Sequence, residues 1–171
     1  GYSLAYNYRG TILGDLGRHR EALEDYTRAL EIDPGFASAY NNRGLALSYM
    51  GKYQQAVDDL SRAINIDPEY EEAYFSLGFV YNNSGGYRKA IESYNKVISM
   101  NSNAVDAYYN RAIAYDNLGQ FQRSIDDYSQ VIRLDPDYAD AYYNRGLAYS
   151  NLKQLQPAIE DYSTVVKINP K

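Results

Sequence analysis

The sequence predicts an all-α chain of five helix–turn–helix repeats, and three observations support this fold class. A nine-residue phrase recurs every 34 residues, with copies starting at residues 5, 39, 73, 107 and 141. A second amphipathic phrase follows each copy, and glycine or proline stands at the breaks between phrases. Repeats of this length are single helical pairs that bury their apolar faces only by stacking on neighbouring repeats.

The first phrase of each repeat is typical of an amphipathic helix. Its copies are AYNYRGTIL, AYNNRGLAL, AYFSLGFVY, AYYNRAIAY and AYYNRGLAY. In the last copy Tyr142, Gly146 and Tyr149 fall at i, i+4 and i+7, which is the spacing of one helical face. We therefore expect this face to be buried against the rest of its repeat.

The second phrase predicts another amphipathic helix in each repeat. Its copies are EALEDYTRALEIDP, QAVDDLSRAINIDP, KAIESYNKVISMNS, RSIDDYSQVIRLDP and PAIEDYSTVVKINP. The break before it holds Gly17, Gly51, Gly85-Gly86, Gly119 or, in the fifth repeat, Lys153. Glycine suits a helix C-terminus that ends in a left-handed residue.

Proline marks the corner between repeats. The pairs are Asp33-Pro34, Asp67-Pro68, Asp135-Pro136 and Asn169-Pro170. Proline cannot continue a helix, and it disfavours helical geometry in the residue before it. The third repeat carries Asn101-Ser102 instead, so we expect a looser corner there.

The repeated small and aromatic positions resemble the tetratricopeptide repeat family. The matching positions are an aromatic (Tyr6, Tyr40, Tyr74, Tyr108, Tyr142), a glycine or alanine (Gly10, Gly44, Gly78, Ala112, Gly146) and an alanine that opens the second helix (Ala22, Ala56, Ala90, Ala158, with Ser124 departing). The resemblance covers essentially the whole chain. It implies a right-handed α-solenoid (superhelix) in one continuous repeat domain, with repeats at residues 3–36, 37–70, 71–104, 105–138 and 139–171. It also implies a concave groove, lined by the first helices, where partner peptides lie.

Composition bounds the kind of partner. Of the 171 residues 45% are hydrophobic, which excludes a disordered chain. The net charge of −5 argues against nucleic acid or an anionic membrane, because both attract basic surfaces. There is no cysteine, signal peptide or membrane-spanning run, and we expect a cytoplasmic protein. The chain opens with Gly1 rather than Met, which indicates a fragment of a longer protein.

Arginine in the first helix is accompanied by aspartate in the second. The arginines are Arg9, Arg43, Arg111 and Arg145, and the aspartates are Asp25, Asp59, Asp127 and Asp161. In the third repeat Leu77 and Ser93 replace both residues at once. We interpret the sets as structural ion pairs, formed either within a repeat or across the next interface. The alternative is that the arginines bind an anionic ligand.

A second face of the first helices supplies candidate groove residues. The apolar candidates are Tyr49, Phe75, Phe79, Tyr109, Ile113, Tyr143 and Leu147, and the amide candidates are Asn42, Asn110 and Asn144. Aromatic side chains supply contact area at low entropic cost, and an amide can both donate to and accept from a peptide backbone. The alternatives are that the apolar residues fill the contact between adjacent first helices and that the amides are surface or helix-packing groups.

Acidic residues on the same face predict a groove rim that favours a partner with basic and apolar residues. They are Asp15, Glu72, Asp106, Asp116 and Asp140. Glu72, Asp106 and Asp140 also fall in the first turn of their helices, where a negative charge is favoured by the helix dipole alone.

The sequence therefore predicts a protein–protein interaction scaffold that binds a peptide or an extended segment of a partner. We expect no enzyme activity, because no plausible base, nucleophile or phosphate loop is assembled, and we expect no cofactor or metal. Two alternatives remain open. The repeats could assemble head to tail into homo-oligomers through uncapped ends, or they could form the regulatory arm of a larger enzyme.

Overall fold

The structure, a computed structural model, describes residues 1–168, which form ten α-helices and no β-strand. The helices are α1 Tyr2–Asp15, α2 His19–Ile32, α3 Ala37–Tyr49, α4 Tyr53–Ile66, α5 Glu71–Asn83, α6 Tyr87–Met100, α7 Val105–Asn117, α8 Phe121–Leu134, α9 Ala139–Asn151 and α10 Leu155–Ile168. Each repeat thus contains a first and a second helix, and the predicted all-α helix–turn–helix fold is confirmed. The predicted Asn169-Pro170 corner lies outside the described residues.

The chain divides into two compact blocks. The N-terminal block, residues 1–86, contains α1 to α5, and the C-terminal block begins at Tyr87 and contains α6 to α10. Within each block every helix packs against the next one along the chain. In the N-terminal block the first helices also contact each other, α1 with α3 and α3 with α5.

Left-handed residues end the first helices, as the glycine pattern predicts. Gly17, Gly51, Gly85 and Gly119 have φ between 69° and 79°. Lys153 occupies the same place in the fifth repeat with φ 60°, and it is the one non-glycine residue with positive φ in the described part of the chain. Since a Cβ disfavours this conformation, the fifth turn carries a local cost that the other four avoid.

The corners between repeats share one turn, with or without proline. The Oδ1 of Asp33 accepts a hydrogen bond from the backbone N–H of Gly35 at 3.0 Å. In the third repeat Asn101 Oδ1 accepts from the N–H of Asn103 at the same distance. The Asn101-Ser102 corner therefore closes with the geometry of its relatives, because the side-chain acceptor sets this turn and proline is not required for it.

Small residues bring the two helices of a repeat together around aromatic or leucine side chains. A Cβ added to Gly10 would lie 2.7 Å from Tyr26 Cε1, and one added to Gly146 would lie 2.8 Å from Tyr162 Cε1. In the fourth repeat Ala112 is fully buried in a cluster with Tyr128. The close approach explains why glycine or alanine recurs at this position of the first helix.

Candidate functional site

The repeated arginines form ion pairs with aspartates inside their own repeats. The pairs are Arg9–Asp25, Arg43–Asp59, Arg111–Asp127 and Arg145–Asp161. In the second repeat Arg43 Nε and Nη2 donate to Asp59 Oδ2 and Oδ1, both at 2.7 Å. Sequence periodicity left open whether the partner lay in the same repeat or in the next one, and the structure places it in the same repeat.

Three of the four pairs are largely buried, and each arginine also lies over a tyrosine ring of its own helix. The Arg111 and Asp127 side chains are 16% and 9% exposed. In the second repeat the guanidinium of Arg43 lies 5.4 Å from the ring centroid of Tyr40. Its hydrogen bonds to Asp59 raise the pKa of Arg43 above its ordinary value, so the group stays charged. Guanidinium groups engaged in this way have little capacity left for an anionic ligand, which favours the structural interpretation.

A third polar residue, which the sequence analysis did not identify, completes three of these pairs. It comes from the second helix of the preceding repeat: Thr27 contacts Arg43, Asn95 contacts Arg111 and Ser129 contacts Arg145. The Arg9 side chain is 65% exposed, because no helix precedes α1 in the described part of the chain to cover it. The set could have been found from its fixed distance of 16 residues before each arginine.

In the N-terminal block the predicted groove residues form an aromatic cluster on the first helices. The Tyr49 ring stacks on His19, with centroids 4.9 Å apart and planes 12° apart, and it lies 6.0 Å from Phe79. Tyr49 remains 62% exposed, whereas Phe75 and Phe79 are partly buried. His19 belongs to the second helix α2, and the repeat pattern did not indicate that it would lie beside Tyr49.

In the C-terminal block the two equivalent tyrosines differ in burial. Tyr143 of α9 is 49% exposed and Leu147, one turn further, is 41% exposed. Tyr109 of α7 is partly buried, because its ring packs 5.0 Å from Tyr138. Ile113 is also partly buried, so the exposed pair in this block is Tyr143 and Leu147.

The predicted amide residues are hydrogen-bonded within the protein. Asn144 Nδ2 donates to the Tyr109 hydroxyl at 2.8 Å, and Asn110 Nδ2 donates to the backbone oxygen of Asp106 at 2.8 Å. Asn42 Nδ2 donates to Asn7 Oδ1 at 3.2 Å and so links α3 to α1. A peptide that binds here would have to use the hydrogen-bond donors and acceptors that these amides have left.

Four of the five predicted rim acids are exposed, and Asp116 is not. The exposed acids are Asp15, Glu72, Asp106 and Asp140. Asp116 is partly buried, and its Oδ2 accepts a hydrogen bond from the Tyr128 hydroxyl at 2.8 Å. Burial raises the pKa of the Asp116 carboxyl and is the largest influence on it. Asp116 therefore differs from the other four acids in having a hydrogen-bond partner, Tyr128, on the second helix of its repeat.

The described residues contain neither a cluster suited to a metal ion nor a helix suited to crossing a membrane. Among residues 1–168, no group of three histidine, cysteine or acidic side chains is arranged to hold a metal ion. None of the ten helices, each 13 or 14 residues long, has the length and apolar character needed to span a membrane.

Comparison with family models decides the family. A model described as tetratricopeptide repeat matches residues 3–36, 37–70 and 139–171, which together make up more than half of the chain. A model described as TPR repeat matches residues 81–119 and 117–153. The chain belongs to the tetratricopeptide repeat family. No match was found among curated proteins.

Solved structures of other tetratricopeptide repeat proteins share this fold. MamA from Desulfovibrio magneticus RS-1 is 20% identical with a TM-score of 0.90, and the match covers 99% of this chain and 96% of that chain. Another MamA structure is 24% identical with a TM-score of 0.86 and covers 94% of both chains. YrrB, described as a TPR protein with an unusual peptide-binding site, is 25% identical with a TM-score of 0.79, and the match covers 97% of this chain and 86% of that chain.

Proposed function

We propose that this tetratricopeptide repeat chain is a non-enzymatic interaction scaffold that binds a peptide or an extended segment of a partner protein along its first helices. The observation that carries the proposal is the exposed face of α9. Asp140, Tyr143 and Leu147 lie on this face at helical spacing and all three are exposed. An apolar pair beside an acid is suited to a segment with both apolar and basic residues.

Three further observations support this proposal. Tyr49 presents a similarly exposed aromatic ring on α3 in the N-terminal block. A net charge of −5 favours encounter with a basic segment over an acidic one. YrrB, whose fold is similar, is described as having a peptide-binding site.

A peptide-array screen with the 171-residue chain tests the proposal. Peptides that bind should contain basic and apolar residues, and Tyr143→Ala should weaken their binding at least tenfold, because loss of an interface anchor costs ~2 kcal/mol or more. The matched control is Ile66→Ala, an exposed apolar residue on the second helix α4. Equal affinities of the two variants, or an array with no bound peptide, would overturn the proposal.

Self-assembly remains a second candidate function because the outer face of α10 is apolar. Ile159 is 57% exposed. Val166 and Leu155 extend the exposed face. Light scattering over a concentration series tests this candidate. A rise in mass that Ile159→Lys abolishes supports assembly, and a constant monomer mass contradicts it.

A further inference from the structure

A cavity of about 370 Å³ opens between α1, α2 and α3 in the N-terminal block. Its lining includes Thr11, Asp15, His19, Tyr26, Asn42 and Tyr49. Cavities that hold small ligands commonly measure ~300–1,000 Å³, so there is room for one long side chain of a bound peptide.

The cavity exists because two positions of α1 carry small residues. Thr11 and Gly14 stand where the fourth repeat has Ile113 and Asp116. A Cβ on Gly14 would meet only the Tyr26 hydroxyl, at 3.8 Å, so helix packing does not require glycine here. Gly10 differs, because there an added Cβ would collide with the Tyr26 ring. The first repeat therefore has open space at Gly14 that is not needed for α1 and α2 to pack together.

Asp15 places a negative charge at the mouth of this cavity without a structural reason. It is the last residue of α1, at the end where the helix dipole disfavours an anion, and the last turn contains no basic residue. Asp106 and Asp140 lie instead in first turns, where the dipole favours them. The exposed Asp15 carboxylate forms no ion pair or hydrogen bond within residues 1–168.

The walls of the cavity suit a flat cation. The stacked rings of His19 and Tyr49 form one side, and Tyr26, which is 4% exposed, forms the floor. Burial raises the pKa of the Tyr26 hydroxyl, which keeps it neutral. No lysine or arginine lines the cavity, and the nearby Arg18 is held by Glu21 in an adjoining depression.

We propose that this cavity binds an arginine side chain of the partner peptide. The proposal rests on the proposed function and adds the residue class that the first repeat selects. The planar guanidinium would donate to the Asp15 carboxylate, which would neutralise the charge at the end of α1, and its apolar stem would lie along Tyr49. Asn42 Oδ1, which accepts one hydrogen bond from Asn41 Nδ2 at 3.2 Å, can accept a second one from the ligand.

Nuclear magnetic resonance titration of the 171-residue chain tests the proposal with two small probes. N-acetyl-L-arginine methylamide should shift the amide signals of Asp15, His19 and Tyr49 in a saturable way. N-acetyl-L-citrulline methylamide has nearly the same shape without the charge, and it should bind at least tenfold more weakly, because charge-assisted hydrogen bonds contribute ~1.5–3 kcal/mol. Equal affinity for the two probes, or no saturable shift with the arginine probe, would overturn the proposal.

Two variants locate the site. Asp15→Asn should lower affinity for the arginine probe about tenfold and slightly raise the melting temperature, because it removes an unfavourable charge from the end of α1. Thr11→Leu should abolish binding by filling the cavity with the residue that α3 carries as Leu45. Asp58→Asn, at an exposed acid of the second helix α4 away from this cavity, is the matched control and should leave affinity unchanged. An Asp15→Asn variant that binds like the original chain would refute the assignment.

The same variants separate this proposal from the proposed function. If an array-selected peptide depends on Tyr143 but tolerates replacement of every arginine by citrulline, the scaffold function stands and the arginine site falls. If no peptide binds while the arginine probe still occupies the cavity, the site stands and the scaffold function falls.

Discussion

Arg145 and Asp161, on the two helices of the fifth repeat, form an ion pair with two parallel hydrogen bonds. Arg145 Nε donates to Asp161 Oδ2 at 2.9 Å, and Nη2 donates to Oδ1 at 2.6 Å. The third nitrogen, Nη1, donates to the Ser129 hydroxyl at 3.0 Å. One guanidinium therefore joins α9 to its own second helix, α10, and to the second helix of the preceding repeat, α8. The charge is kept at this largely buried position because each guanidinium nitrogen donates to an acceptor.

Removal of one partner from such a pair should destabilise the fold strongly. We expect Asp127→Ala to lower the free energy of unfolding by ~3–5 kcal/mol, because it leaves the largely buried Arg111 unpaired. Asp25→Ala should cost much less than Asp127→Ala, because Arg9 is 65% exposed and can be solvated. Urea denaturation measures both values. The control is Asp126→Ala, beside Asp127 but exposed, and equal losses for Asp126 and Asp127 would contradict the structural role of the pair.

The sequence predicted the identity of these partners but not their arrangement. In the third repeat Leu77 replaces the arginine and Ser93 replaces the aspartate. This joint replacement indicated that the two residues are partners. The 34-residue period is the same whether each arginine pairs with the aspartate of its own repeat or with that of a neighbouring repeat. Only the three-dimensional structure could distinguish these two pairings. The third partner was missed because Thr27, Asn95 and Ser129 share polarity but not identity.

The sequence also could not predict how deeply each side chain on the second face of the first helices is buried. Tyr109 and Tyr143 occupy the same position in successive repeats, and periodicity therefore gives them the same expected exposure. In the structure Tyr138 and Asn144 contact Tyr109 and partly bury it, whereas Tyr143 is 49% exposed. Helical spacing identifies the face on which a side chain lies, and the neighbouring side chains determine how much of it reaches solvent.

The hydroxyl that bridges two repeats should make a measurable contribution of its own. We expect Ser129→Ala to lower the free energy of unfolding by about 1 kcal/mol, since it removes the acceptor for Arg145 Nη1. Ser163 is the matched control at the same repeat position. It bonds the backbone oxygen of Ile159 as Ser129 bonds that of Ile125, and it is exposed. Thermal unfolding that ranks Ser163→Ala as the costlier substitution would show that the bridge contributes little.

The left-handed turn of the fifth repeat offers a stabilising substitution. Lys153 has φ 60°, where a Cβ is disfavoured, so Lys153→Gly should raise the free energy of unfolding by about 1 kcal/mol. Gly119→Ala, the reverse change in the fourth repeat, should lower it by a similar or larger amount. Lys52→Gly serves as the control, because Lys52 has φ −89° and gains nothing from glycine. Urea denaturation midpoints should therefore rise for Lys153→Gly and fall for Gly119→Ala. A lower midpoint for Lys153→Gly than for the original chain would contradict the prediction.

Burial of the Asp116 carboxyl should give the fold a pH dependence that one substitution removes. In the unfolded chain Asp116 ionises near its ordinary pKa of about 3.9, and in the folded chain burial raises this pKa. The folded state therefore binds more protons between the two values. Its stability is highest below the unfolded pKa, falls as pH rises through the folded pKa and stays lower at neutral pH. Ionisation of Asp116 thus lowers the free energy of unfolding at pH 7.

Asp116→Asn retains an acceptor for the Tyr128 hydroxyl but cannot ionise, and Asn82 stands at the same position in the third repeat. We expect its stability advantage over the original chain to be small near pH 4, to grow as pH rises through the folded pKa and to be largest at pH 7. Chemical denaturation between pH 4 and pH 7 measures this difference. Asp126→Asn removes an exposed carboxylate that accepts from Gln122 and is the control. A difference between Asp116→Asn and the original chain that stays constant with pH would mean that the Asp116 carboxyl titrates alike in the folded and unfolded states.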